Sequence, residues 1–159
     1  VKFDGTENPD GGVYFDNGEL LLWDNKGKEH EKVYTFPKSH VDQFLKYIRN
    51  APKRVNVFLI VVPSASSDVE KQAWQLKYKS GTDTDICIIT ASDLKFIADN
   101  WYKYSNGNFD LNIFNITGIL DRNKIEQRMK FLLNKYNRES KKNNSLCECF
   151  ITIMTNIAV

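Results

Sequence analysis

Asn8-Pro9-Asp10-Gly11-Gly12-Val13-Tyr14-Phe15-Asp16-Asn17-Gly18-Glu19-Leu20-Leu21-Leu22-Trp23-Asp24-Asn25-Lys26 is the stretch on which the reading of this chain turns. Residues 12–16 and 19–24 are strand-like, and Asn17-Gly18 between them is a strong two-residue hairpin signal. Such a turn pairs Asp16 with Glu19, Tyr14 with Leu21 and Gly12 with Trp23. Asp10 then arrives opposite Asn25, between Asp24 and Lys26. Cross-strand Cβ atoms lie roughly 5 Å apart, so the three charged groups converge. Period-2 alternation puts Asp24 and Lys26 on one face with Leu20 and Leu22, and Leu21 and Trp23 on the other. The ideal register leaves Asp10 on the face of Asn25, and a bulge at Gly11-Gly12 is expected to bring it round. Turn chemistry alone accounts for Pro-Asp-Gly-Gly, and a solvated strand exit accounts for Asp24-Asn25-Lys26. Both together at the same end of one hairpin point to a site.

Working outward, Gly27 to Lys32 reads as a charged loop. A helix opens near Pro37-Lys38-Ser39, with Ser39 as the expected N-cap, and carries Val41, Phe44, Leu45 and Ile48 at helical spacing. Val55 to Val62 is a continuous apolar run, as in a strand buried on both faces. Ser67 caps a second helix through about Tyr78, and 85–90 is another buried strand. Ser92 begins a third helix. Residues 106–120 are irregular, with a short strand expected at 111–116. Asp121 or Asn123 opens a last helix to about Tyr136. The expected fold class is α/β, a β-hairpin followed by αβαβα, with a mixed central sheet flanked by helices. Residues 1–136 form the expected domain, and 137–159 a polar linker plus an apolar tail.

Across 159 residues the net charge is only +2, so any nucleic-acid surface must come from local clusters of Lys and Arg. Cys87, Cys147 and Cys149 form no CxxC, and with only two histidines a zinc site is not expected. This cysteine use fits a reducing interior, hence a cytoplasmic location, and no apolar span suggests a membrane. The chain starts at Val1 with its motif close behind, and is read as part of a longer protein.

Asn8-Pro9-Asp10-Gly11 and Leu20-Leu21-Leu22-Trp23-Asp24-Asn25-Lys26 resemble the PD-(D/E)xK nuclease superfamily. Within it, the chain resembles the cleavage domain of FokI-type (type IIS) restriction endonucleases. The resemblance runs from about residue 5 to 104. It continues through Phe36-Pro37, Val41-Asp42-Gln43-Phe44-Leu45-Lys46-Tyr47, Gln72 and Leu76, and Ile88-Ile89-Thr90-Ala91-Ser92-Asp93-Leu94. It implies a restriction-endonuclease-like fold and a metal-dependent DNA endonuclease of a restriction-modification system, with catalytic Asp10, Asp24 and Lys26. It also implies that Asp42 and Lys46 sit at a homodimer interface formed on double-stranded DNA. The domain that recognises sequence is expected outside this chain.

On that reading Mg²⁺, or Mn²⁺ in its place, lies between Asp10 and Asp24, with the backbone carbonyl of Asn25 as a third ligand. Lys26 orients the water or balances developing charge. Glu19, at the far end of the hairpin, is not expected to be a ligand. Lys28, Lys38, Gln43 and Lys71 are candidate DNA contacts, with Lys32, Arg54, Lys77 and Tyr47 as further ones. An Asp42–Lys46 ion pair within the helix is the plainer reading of those two residues. The alternatives are a repair or junction-resolving nuclease of the same superfamily, and a non-catalytic interaction module on that fold. A nucleotide-binding α/β domain is disfavoured by the lack of a Gly-rich strand-to-helix loop.

Overall fold

Residues 8–26, 33–105 and 109–139 are described by the computed structural model. The candidate DNA contacts Lys28 and Lys32, and the expected tail at 146–159, lie outside them. The elements run β1 (Gly11–Tyr14), β2 (Leu20–Asn25), α1 (Lys38–Asn50), β3 (Val55–Val62), α2 (Asp68–Ser80), β4 (Asp85–Thr90), α3 (Ala91–Ser105), a 3₁₀ turn (Leu111–Phe114), β5 (Gly118–Ile119) and α4 (Arg122–Glu139). The class is α/β, with a five-stranded mixed sheet in the order β1-β2-β3-β4-β5. The β1–β2 pair is antiparallel and the other three pairs are parallel. The chain divides into two compact units, Val1–Ala91 with Phe114–Leu120, and Ser92–Ile113 with Asp121–Val159.

In the first unit, Leu20 and Leu22 of β2 and Phe58, Ile60 and Val62 of β3 form one buried cluster. With them pack Phe44, Tyr47 and Ile48 of α1 and Val69, Ala73 and Leu76 of α2. All of these side chains are at most 6% exposed, so α1 and α2 cover the face of β2 and β3 that carries Asp24. Tyr47 belongs to this core, its ring 6.3 Å from that of Phe58. It is therefore no DNA contact.

Several boundaries differ from the sequence reading. Pro37, extended at φ −60° and ψ 147°, is the N-cap of α1 in place of Ser39, because the proline ring presets that geometry. Ser67 does precede α2, without a side-chain cap, and Gly81 closes the helix in the left-handed region. The strand expected at 111–116 is a 3₁₀ turn. Oδ1 of Asp110 accepts from both the backbone N–H and the side-chain amide of Asn112, at 2.8 and 2.7 Å. That Asx arrangement coils the chain, and pairing with β4 waits until Gly118.

In the second unit, Asp121 caps α4 through the N–H of Lys124 at 2.9 Å. Arg128 donates to the carbonyls of Ile113 and Asn112, at 2.7 and 2.6 Å, and satisfies the end of the 3₁₀ turn. Arg122 pairs with Asp93 at 2.9 Å and lies over the ring of Phe96.

Candidate active site

The hairpin closes through a three-residue loop, Asp16-Asn17-Gly18. The N–H of Phe15 donates to the carbonyl of Glu19 at 2.8 Å, and that of Gly18 to Phe15 at 2.9 Å. Gly18 takes φ +81°, the left-handed position that follows a type I turn in such loops. Two-residue closure at Asn17-Gly18 is thus corrected. The observed partners are Gly11 with Trp23, Gly12 with Leu22, Val13 with Leu21 and Tyr14 with Leu20. The whole of β1 moves by one residue against β2, which reverses the face each of its side chains occupies. No bulge interrupts Gly11-Gly12, because the turn has already supplied the shift. Continued by one residue, the ladder brings Asp10 across from Asp24.

Gly11 is needed at this place. A Cβ added to it would lie 2.1 Å from the ring of Trp23, so the ring of Trp23 occupies the space where a side chain at Gly11 would stand. Beyond the last ladder pair, Oδ2 of Asp10 accepts the N–H of Asn25 at 2.7 Å. The exposed Asp10 is thereby tied to the end of β2 beside Asp24.

Asp24 and Lys26 share the face of Leu20 and Leu22, as alternation requires, and Asp24 is only 4% exposed. Nζ of Lys26 lies 2.6 Å from Oδ2 of Asp24 and donates to Oε1 of Gln43 on α1 at 3.0 Å. The same ammonium stands 5.2 Å from the ring centre of Phe44. The Lys26 ammonium is the charge partner of the buried Oδ2 of Asp24. Burial pushes the Asp24 carboxyl above the usual range. Lys26 opposes that shift and the Asp10 charge adds to it. A desolvated carboxylate beside a second carboxylate is an arrangement that a hard cation completes.

Of the other candidates, Gln43 is drawn into the site by Lys26. Lys38 and Asp42 line a groove of about 300 Å³ between α1 and α2, together with Phe36, Val41, Gln72 and Leu76. Lys71 lies elsewhere, along an open groove of about 510 Å³ on α2 with Trp74 and Tyr78. Lys77 pairs with Asp85 at 2.7 Å and Arg54 with Glu19 at 3.2 Å, so both serve the frame. Lys46 is exposed on α1. Asn25, the expected carbonyl ligand, ends β2 next to Val61 of β3.

Two residues at the site escaped the sequence reading. Tyr34 is buried and joined to the loop after β3, its N–H on the carbonyl of Ser64 at 2.8 Å. Its hydroxyl lies 3.2 Å from Nδ1 of His40, and the two rings stack at 5.9 Å and 12°. Burial, and then the charge of Asp24, raise the Tyr34 hydroxyl, while burial and Lys26 lower the His40 imidazole. Both signals were present. Tyr34 and Phe36 alternate with exposed residues, and His40, Gln43 and Phe44 share the i, i+3, i+4 face of α1.

No family model, curated protein or solved structure matches this chain. Among the described residues no group of three or more His, Cys, Asp or Glu side chains is placed to hold a metal, so the fit rests on two carboxylates. No helix among them is long and apolar enough to cross a membrane.

Proposed function

We propose that this chain is a Mg²⁺-dependent endonuclease domain that hydrolyses DNA phosphodiester bonds on a restriction-endonuclease-like, PD-(D/E)xK frame. The observation that carries the reading is the Asp24 carboxylate. It is kept nearly out of water, with its pKa raised, next to Asp10 and Lys26. A fold tolerates a group that is unfavourable in isolation where function requires it.

Asp10, Asp24 and the Asn25 carbonyl are the groups that would hold Mg²⁺, which when bound supplies a Lewis acid and a template for the phosphodiester. Two protein carboxylates suit an ion that keeps several waters and takes further oxygens from a phosphate. Lys26 is held in place by Asp24 and Gln43, where its ammonium is set to balance negative charge on the phosphoryl oxygens. Double-strand cleavage needs two such sites on opposite strands. The exposed Asp42 and Lys46 of α1 are the surface proposed to pair two copies on DNA.

The deciding experiment is nicking of a supercoiled plasmid by the purified chain with Mg²⁺, with Asp24→Ala as control. Cleavage by the first and none by the second is the expected result, and equal cleavage by both rejects the reading.

A further inference from the structure

Tyr34, buried, and His40, half-buried, form a pair that the carboxylate–lysine reading leaves without a task. They come from separate segments, and both stand around the same charges. His40 lies between two rings, stacked on Tyr34 and 5.9 Å from Phe44, whose face carries the Lys26 ammonium. Gln43, one helical step along, accepts from that ammonium.

The protons on the pair follow from satisfaction of hydrogen bonds. Buried in the core cluster and raised by the Asp24 charge, the Tyr34 phenol keeps its proton. A buried hydroxyl that keeps its proton is satisfied by donating it, and Nδ1 of His40 at 3.2 Å is the acceptor in that arrangement. Nδ1 then carries no hydrogen. In the neutral ring, which burial and Lys26 both favour, the proton sits on Nε2. Such a ring cannot act as a base through Nε2. It presents a single N–H donor next to a lysine that balances charge.

We propose that His40, held in its Nε2–H tautomer by the Tyr34 hydroxyl, is a substrate-contacting residue that donates a neutral hydrogen bond to a phosphate oxygen of DNA, with Tyr34 as its positioning residue. The inference rests on the nuclease reading above and adds a donor to the same site. A neutral donor suits this place, because a second cation beside Lys26 would repel it and compete for Asp24.

The test uses the full chain, plasmid DNA and Mg²⁺, with imidazole ¹⁵N spectra of His40 as a second readout. Wild type should show a single tautomer with Nδ1 unprotonated. His40→Ala should cut roughly ten- to hundredfold more slowly, as for loss of a hydrogen bond to a charged oxygen, with Mg²⁺ affinity unchanged. His40→Gln, whose amide places a donor near the Nε2 position, should recover most of that loss. Tyr34→Phe removes only the hydroxyl and keeps the test alive if truncating His40 unfolds the chain. Its spectra should show mixed tautomers and its cleavage should fall roughly three- to tenfold. A proton on Nδ1 in wild type, or His40→Ala cutting at the wild-type rate, overturns the proposal while the nuclease reading stands. Wild type that fails to cut at all rejects the nuclease reading, and the phosphate contact with it.

Discussion

The backbone N–H of Asn25 donates to the carboxylate of Asp10 at 2.7 Å, where the β1–β2 ladder has run out of backbone partners. This bond makes Asp10 the last rung of the hairpin and holds its charge close enough to act on Asp24. Both acids thus depend on the same one-residue choice of register.

Removal of either carboxylate should abolish cation binding and cleavage together. Asp10→Ala and Asp24→Ala should show no Mg²⁺ heat in calorimetry and no plasmid nicking, and EDTA should reproduce that loss in wild type. Lys26→Ala should retain the Mg²⁺ heat but lose about a hundredfold or more in rate, as for one charge-stabilising donor. Unchanged Mg²⁺ affinity in both aspartate variants would reject the ligand assignment.

Asp24 should cost stability near neutral pH. Its folded pKa lies above the unfolded value of 3.8, so the favourable state is the protonated one. That contribution is complete below the unfolded pKa and is lost as pH rises through the folded pKa. Asp24→Asn, a neutral isostere, should melt about 2–4 °C above wild type at pH 7 without Mg²⁺, the shift that roughly 1 kcal/mol gives a chain of this size. The gap should close below about pH 4. Saturating Mg²⁺ should raise the wild type alone. Thermal melts from pH 3 to pH 8 read all three effects, and a variant that melts lower throughout would contradict the desolvation argument.

Gly11→Ala should be costly although the change is one methyl group. The added Cβ would press on the Trp23 ring, which is 4% exposed and has little room to turn. Overpacking of this kind costs roughly 1–3 kcal/mol. Pairing it with Trp23→Leu should recover part of the loss, so the double mutant should be clearly non-additive in denaturant melts.

Asp42→Arg and Lys46→Asp should each block cleavage singly and restore it when mixed, since the swapped charges become complementary across a two-fold axis. The rate should rise faster than linearly with enzyme concentration. If both single variants stay active and the rate is linear, α1 contributes an ordinary solvated face.

Much of this architecture is legible in local pattern. Val55–Val62 and Asp85–Thr90 announce themselves as unbroken apolar runs, because a strand covered on both faces needs no polar side. Asp24 and Lys26 follow Leu20 and Leu22 onto one face by alternation alone, and α1 carries its stripe at helical spacing. Those features depend on neighbours in sequence, and the sequence by itself determined them. The hairpin register did not follow, since Asp16-Asn17-Gly18 supports both two- and three-residue closure, and only in the folded hairpin does the Trp23 ring pack over Gly11. Nor did the burial of Tyr47, the recruitment of Gln43 by Lys26, or the meeting of Tyr34 with His40. These are contacts between segments, set by how α1 lies against β2 and β3, and only the tertiary structure decides which polar groups lose water together and must answer one another.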